Sequence, residues 1–331
     1  MKDVADHAGV SVRTVSNVVN DFHYVSDEMR QRVQASLDQL GYSINTVARG
    51  LRSGRTGTIA LVVPQLAEPY FAELAQAVIR AAANHGVTVL VETTEDPKMQ
   101  TEILRGALNP IADGVLLSAT VASISKRADV PLVLLGEYRP TQFGHYVGLD
   151  NIAAARTVVR HLLEEGCTRV AALGIGKSAT AAQRYKAYKA ELRARGIAAV
   201  DELAIGTDDW SPAGGRAAVE QLLASGAPFD AVFAFNDSLA YGAIRALKTA
   251  GLAIPADVAV AGMDNLVQSE YVDPPLTSLA PDIGALADTA VALLMDQIEQ
   301  RRADPSDYER VLTPFDLRIR ESTVRTPRSA G

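Results

Sequence analysis

Two hydrophobic rhythms divide the chain. Between Met1 and Gly41 apolar side chains recur three and four positions apart: Val4, Ala5 and Ala8, then Val15, Val18 and Val19, then Met29, Val33, Leu37 and Leu40. Such spacing puts each set on one face of a helix, so it predicts three short amphipathic helices closing a minimal core. Gly9 stands where a left-handed residue would end the first helix. Ser11 and Ser26 can cap the next two by accepting backbone N–H groups, with Asp27 and Glu28 at the positive end of the third.

From Thr58 the rhythm changes. Short aliphatic runs, "TIALVV", "VTVLVE", "GVLLS" and "PLVLLGE", alternate with amphipathic segments over Tyr70–His85 and Pro97–Leu108. After Asp150 the pattern resumes with "RVAALG", "AVFAF" and "DVAVAGMD". Continuous apolar strands separated by helices predict parallel sheets covered on both faces. The repetition predicts two similar α/β half-domains with a cleft between them. The expected organisation is a helical unit over 1–44, a linker with a short helix over 45–57, and the larger α/β unit over 58–331.

Composition narrows the chemistry. The 331 residues are 48% hydrophobic, ample for a large core, and the net charge of −7 argues against general polyanion binding. Arg49, Arg52 and Arg55 nevertheless fall in a stretch without acid, so any polyanion contact is to be sought there. Cys167 is the sole cysteine and the five histidines are scattered without ligand spacing, so neither a disulfide framework nor a metal or cofactor site is expected. The N-terminal segment has no continuous apolar core and no later run reaches membrane length, which makes a soluble, cytoplasmic protein the expectation. Catalysis is not supported. No Ser, His and Asp set can be assembled, and "GIGKSA" (174–179) lacks both the P-loop's first glycine and the acidic partner of a dinucleotide site, so it reads as a cleft loop.

The second helix, in "GVSVRTVSNVVN", carries Val12 four residues before Ser16 and Arg13 four before Asn17, on a stripe away from the inner valines. In a helix-turn-helix those N-terminal positions face the major groove, where Arg can read guanine, Asn adenine and an apolar group the thymine methyl. An ordinary helical hairpin with a solvated outer face would show the same spacing. In the large unit, ligands settle beyond the carboxyl ends of parallel strands. Tyr70 and Phe71, Asp150, Asn236 and Asp237, and Asp264 all follow strand-like runs, Arg184 lies early in a helix and Trp210 in a loop. Each has a plainer role open to it: Phe71 in the core, Asp150 and Asp264 as helix caps, Arg184 in a surface ion pair, Asn236 as a turn residue, Trp210 as a loop plug. Taken together they suit a sugar or polyol, with an aromatic plane for C–H faces and charged groups for hydroxyls. A purine would use similar partners and is placed second.

The segments "KDVADHAGVSVRTVSNVVN", "VSDEMRQRVQASLDQLGY" and "NTVARGLRSGRTGTIALVVP" resemble the lactose-repressor family of bacterial transcription regulators. The likeness continues through "EPYFAEL", "VGLDN", "RYKAYKAEL", "DWSPAGG", "FNDSLAYG", "VAGMDN" and "LRIREST", spanning essentially the whole chain. It implies a helix-turn-helix DNA-binding domain joined to an effector domain with the type I periplasmic-binding-protein fold, two Rossmann-like subdomains. It further implies that Val12, Arg13 and Asn17 read bases and that Val47, Ala48 and Leu51 belong to a hinge helix whose leucine wedges into the minor groove of a near-palindromic operator. Phe71, Asp150, Arg184, Trp210, Asn236 and Asp264 match the family's effector-contacting positions. One departure is that this chain starts almost on the first helix, where the family usually has several earlier residues. The end, "TPRSAG", lacks the leucine-heptad tail of tetrameric members, so a homodimer is expected.

Overall fold

The computed structural model describes residues 1–19, 22, 24–42, 55–118, 128, 130–136, 144–207, 209–300 and 308–325, and the chain parts into two units between Gly57 and Thr58. In the first unit, α1 (Lys2–Ala8), α2 (Val12–Val19) and α3 (Asp27–Gln39) close on Val4, Ala5, Ala8, Val15, Val18, Val33 and Leu37. Gly9 ends α1 at φ 63°, and the Ser11 hydroxyl accepts the Thr14 N–H at 3.1 Å to start α2. Ser26 accepts the Met29 N–H at 3.4 Å.

Leu40 departs from the expected stripe. The α3 helix ends at Gln39, so Leu40 is carried past the last turn and is 44% exposed. Ser36 is buried on that side instead. Its hydroxyl donates to the Arg32 carbonyl at 3.0 Å and pairs with His7 Nδ1 at 3.1 Å, which satisfies a polar group inside a small core.

The second unit is built on two six-stranded sheets. The first has the order β11-β5-β4-β3-β1-β2, from β1 (Thr58–Val63), β2 (Thr88–Thr93), β3 (Val115–Leu117), β4 (Leu132–Leu135), β5 (His145–Leu149) and β11 (Arg310–Thr313). All its pairs are parallel. The second has the order β12-β10-β9-β8-β6-β7, from β6 (Val170–Ile175), β7 (Ala204–Gly206), β8 (Ala231–Ala234), β9 (Ala259–Met263), β10 (Thr277–Pro281) and β12 (Phe315–Arg318). Here only β12 runs antiparallel, against β10. Strands such as β1 and β8 are buried along nearly their full length, which is why their sequences are unbroken apolar runs.

Helices α4 (Pro69–Asn84), α5 (Pro97–Leu104) and α10 (Ile283–Gln300) belong to the first half, and α6 (Asn151–Glu164), α7 (Ala179–Ala194), α8 (Pro212–Ser225) and α9 (Asp237–Thr249) to the second. The expected helix over Pro97–Leu108 is shorter than its pattern. It stops at Leu104, and Gly106 at φ 95° turns the chain away. In α10, Leu286, Ala287, Ala290, Val291 and Leu294 are buried against the first sheet. Burying each such leucine or valine is worth roughly 1.5–3 kcal/mol. The chain passes between the halves three times, at Leu149–Asn151, Pro281–Ile283 and Thr313–Phe315.

Helices α8 and α9 cross at backbone contact. A Cβ on Gly215 would overlap the Leu239 carbonyl, and one on Gly242 the Pro212 carbonyl. The overlapped atoms are main chain and cannot swing aside. Gly242→Ala is therefore expected to destabilise the large unit by about 1–3 kcal/mol. A differential scanning calorimetry midpoint several degrees below that of the parent would show it; an unchanged midpoint would refute the close crossing.

Candidate functional site

The first unit presents the outer stripe of α2. Val15 and Val18 point into the core, while Val12 is 47% exposed, Arg13 is exposed, and Ser16 and Asn17 are half-buried. The hydroxyl cap at Ser11 leaves this face in the first turns of the helix. Val47, Ala48 and Leu51, expected in a hinge helix, lie outside the described residues.

In the second unit a cavity of about 270 Å³ opens between the two halves. Its walls come from the carboxyl ends of strands, as open parallel sheets dictate. Pro64 and Gln65 follow β1, Ser118 follows β3 and Gly136 follows β4 in the first half. Gly176, Thr207, Asn236 and Asp264 follow β6, β7, β8 and β9 in the second. Glu68, Tyr70 and Phe71 stand at the start of α4, with the Tyr70 and Phe71 rings edge to face at 5.3 Å. Gly176, Lys177 and Ser178 of "GIGKSA" also line the cavity, and Ser178 caps α7 by accepting the Ala181 N–H at 3.0 Å.

Arg184 is buried one turn into α7. Its Nε donates to Asn151 Oδ1 at 2.9 Å, a guanidinium N–H donates to the Phe235 carbonyl, and Cζ lies 5.7 Å from the centroid of the Trp210 ring. Trp210 meets Phe235 edge-on at 6.1 Å. These contacts hold the cation and the indole together as one wall.

Asn236 spends its amide on structure. The oxygen caps α9 by accepting the Leu239 N–H at 2.8 Å, and Nδ2 donates to the Trp210 carbonyl at 3.1 Å and to Glu68 Oε1 at 3.3 Å. Asp264 behaves differently. It is only 9% exposed, and its backbone sits at φ 110°, a conformation that costs a non-glycine residue about 1–3 kcal/mol. No described group donates a hydrogen bond to its carboxylate. Burial pushes its carboxyl well above the usual range; the nearby Arg184 opposes this, while Asp237, Glu68 and Glu73 add to it. The Tyr70 hydroxyl is pushed up to about 12, mostly by burial, with Asp264 adding and Arg184 opposing.

Tyr70, Phe71, Arg184, Trp210, Asn236 and Asp264 thus meet around one cavity. Asp150 does not line it. Its carboxylate caps α6, accepting the Ile152 and Ala153 N–H groups at 3.1 and 3.0 Å, and it lies on the first passage between the halves. The next residue, Asn151, lines the cavity and orients Arg184 in its stead. Sequence reasoning missed Asn151, Ser118 and Glu68. The available signal for Glu68 was a carboxylate directly before the proline that opens a helix, in "EPYF". Among the described residues there is no group of three or more His, Cys, Asp or Glu placed to hold a metal ion, and no helix long and apolar enough to cross a membrane.

Behind the cavity Asp237 is fully buried. Ser269 and Ser278 each donate a hydroxyl to it at 2.6 Å and the Leu266 N–H donates at 2.9 Å. These bonds tie the start of α9 to the segments after β9 and at β10.

The chain resembles known proteins along nearly its whole length. Residues 1–52 match the family described as "Bacterial regulatory proteins, lacI family", and residues 159–323 the one described as "Periplasmic binding protein-like domain". The chain is similar to a ribose operon repressor of Halalkalibacterium halodurans, 32% identical over 98% of this chain and 96% of that one. Among solved structures it is similar to the lac repressor dimer bound to operator and the anti-inducer ONPF, with TM-score 0.85 and 27% identity over 98% of each chain. A transcriptional regulator CelR–cellobiose complex gives TM-score 0.73 and 29% identity over 97% of this chain and 98% of that one.

The buried carboxyl of Asp237 makes a pH prediction. Burial pushes it up to about 7 from an ordinary 3.8, against the three donors and Arg320, which lower it. A folded-state value above the unfolded one means that the folded protein holds the proton more tightly. The resulting stabilisation is complete below about 3.8 and is lost as pH rises through about 7. The parent is expected to lose stability relative to Asp237→Asn between pH 4 and pH 7, by at most about 1.4 kcal/mol per pH unit. Urea titrations of both proteins across that range would measure it, and a pH-independent difference would contradict the assignment.

Proposed function

Because the chain belongs to the lacI family of bacterial regulatory proteins, and is a DNA-binding regulator rather than an enzyme, we propose that it is a cytoplasmic homodimeric repressor controlled by a sugar-like effector bound in the cavity of its large unit. Residues 1–44 read DNA, 45–57 form the hinge, and 58–331 sense the effector and dimerise. Two copies place two α2 helices on the half-sites of a near-palindromic operator. Arg13 and Asn17 would donate to base edges, Val12 and Ser16 would complete the groove contact, and Leu51, with Val47 and Ala48, would form the wedge at the centre.

The observation that carries the effector assignment is Asp264. A buried carboxylate without a described donor, in a cavity that Trp210 also lines, is completed by a ligand with hydroxyl donors on one edge and C–H groups on its face. The similar CelR regulator is a complex with cellobiose, which supports the sugar reading, with a purine as the second reading. Binding between halves linked by three chain passages would change their relative angle, and so share free energy with the DNA site.

Two measurements test this. Selection of binding sequences from random duplexes should return a near-palindrome, bound with strong salt dependence. Arg13→Ala should lose on the order of 10–100-fold on that sequence while binding non-specific duplex almost unchanged; equal losses on both would contradict base readout. Trp210, the only tryptophan, should report saturable fluorescence changes with one member of a panel of sugars, polyols and purines. Binding seen by calorimetry without any change in emission would move the site away from Trp210.

A further inference from the structure

The cavity is acidic in excess. Glu68, Glu95 and Asp264 line it, and Glu73 and Asp237 lie close enough to act on the Asp264 carboxyl. The cations among the lining residues are Lys177, which is exposed, and Arg184, which is already donating to Asn151 and to the Phe235 carbonyl.

Glu68 also ties the two halves together. It stands immediately before α4 of the first half, and its Oε1 accepts from the Ser238 hydroxyl at 2.9 Å and from Asn236 Nδ2 at 3.3 Å, both at the start of α9 in the second half. Ser238 and Asn236 are buried. If Glu68 swung away to admit an anion, the buried Ser238 hydroxyl would lose its Glu68 acceptor and Asn236 Nδ2 would keep only the Trp210 carbonyl, which costs hydrogen bonding at the cavity wall. The carboxyl group is thereby kept at the cavity wall; burial, with Asp209 adding, raises its pKa, while the Ser238 hydrogen bond opposes this and favours the charged form. The second carboxylate oxygen, Oε2, accepts from no described donor and remains for a ligand.

We propose that Glu68 sets the charge class of the effector: an uncharged polyhydroxyl compound or an amino sugar donates to its second oxygen, while phosphorylated and carboxylate compounds are rejected. The inference rests on the effector reading above and deepens it. An anion held within about 4 Å of a fixed carboxylate in a partly desolvated cavity loses on the order of tenfold or more in affinity relative to its neutral parent. An ammonium in the same position gains.

The test is calorimetry and Trp210 fluorescence on the full chain with matched sets of compounds. These are D-ribose with ribose 5-phosphate; D-glucose with glucosamine, glucose 6-phosphate and gluconate; cellobiose with cellobionate; and adenosine with adenosine monophosphate. In every set that binds, the neutral or amino member should exceed the anionic one by about tenfold or more. Glu68→Gln keeps an oxygen for Ser238 and Asn236 but removes the charge and replaces the second accepting oxygen by an NH2 donor, so neutral binding should weaken while the gap shrinks to about threefold or less. Glu68→Asp should retain the discrimination, which a purely structural role would not predict. An anionic member binding the parent as tightly as its neutral counterpart, or an unchanged gap in Glu68→Gln, would overturn the role of Glu68 and leave the effector reading standing. Failure of every compound to bind either protein would defeat the effector reading and this inference with it.

Discussion

The side-chain amide of Asn236 is the group on which the cavity end of the second half depends. Its oxygen begins α9, and its nitrogen holds the main chain of Trp210 and reaches Glu68 in the other half. One buried side chain therefore positions a helix start, an aromatic wall and a tie between half-domains. The helix start in turn places Asp237, whose three donors fix the segments after β9 and at β10. Asp264 is held at a left-handed φ in the middle of that frame, with Asn265 beside it at φ 51° and anchored by Arg320 Nη2 at 2.7 Å. Backbone strain of this kind persists only where the surroundings over-determine it.

Polar groups at this end of the sheets divide by whether protein satisfies them. Asn236, Asp237, Ser238 and the Nε of Arg184 have partners within the fold, and losing any one leaves another buried group unpaired. The Asp264 carboxylate and one oxygen of Glu68 have none among the described residues. That division separates side chains committed to the fold from those whose oxygens have no partner among the described residues, and sequence position cannot reveal it because Asn236, Asp237 and Asp264 all follow strands. It also explains the two roles of the "VGLDN" segment. Asp150 turns inward to cap α6, a local task of its own backbone, whereas Asn151 reaches 33 positions along the chain to Arg184.

Elements whose signals are local were legible in the sequence. The three helices of the first unit follow from apolar spacing, the glycine stop at Gly9 and the hydroxyls of Ser11 and Ser26, because each acts within one helical turn. The buried parallel strands follow from unbroken aliphatic runs. The short strands β7, β11 and β12 were not foreseen, since their sequences carry no such run and their pairing is decided by distant neighbours. Leu40 and the end of α5 were overextended for the same reason: periodicity continues in sequence after the helix has stopped.

By itself the sequence determined the class of protein, the outward stripe of α2 and six of the residues around the cavity, because those depend on spacing along one element or on the rule that ligands sit at strand ends. Tertiary structure alone decided between the cap and the cavity for Asp150, bound Asn236 to Trp210 and Glu68, and joined the two halves through Glu68. Those facts arise from hydrogen bonds between groups distant in the chain, such as Glu68 with Ser238, or from competition between a local and a distant partner. The distant partner leaves no trace in the order of residues.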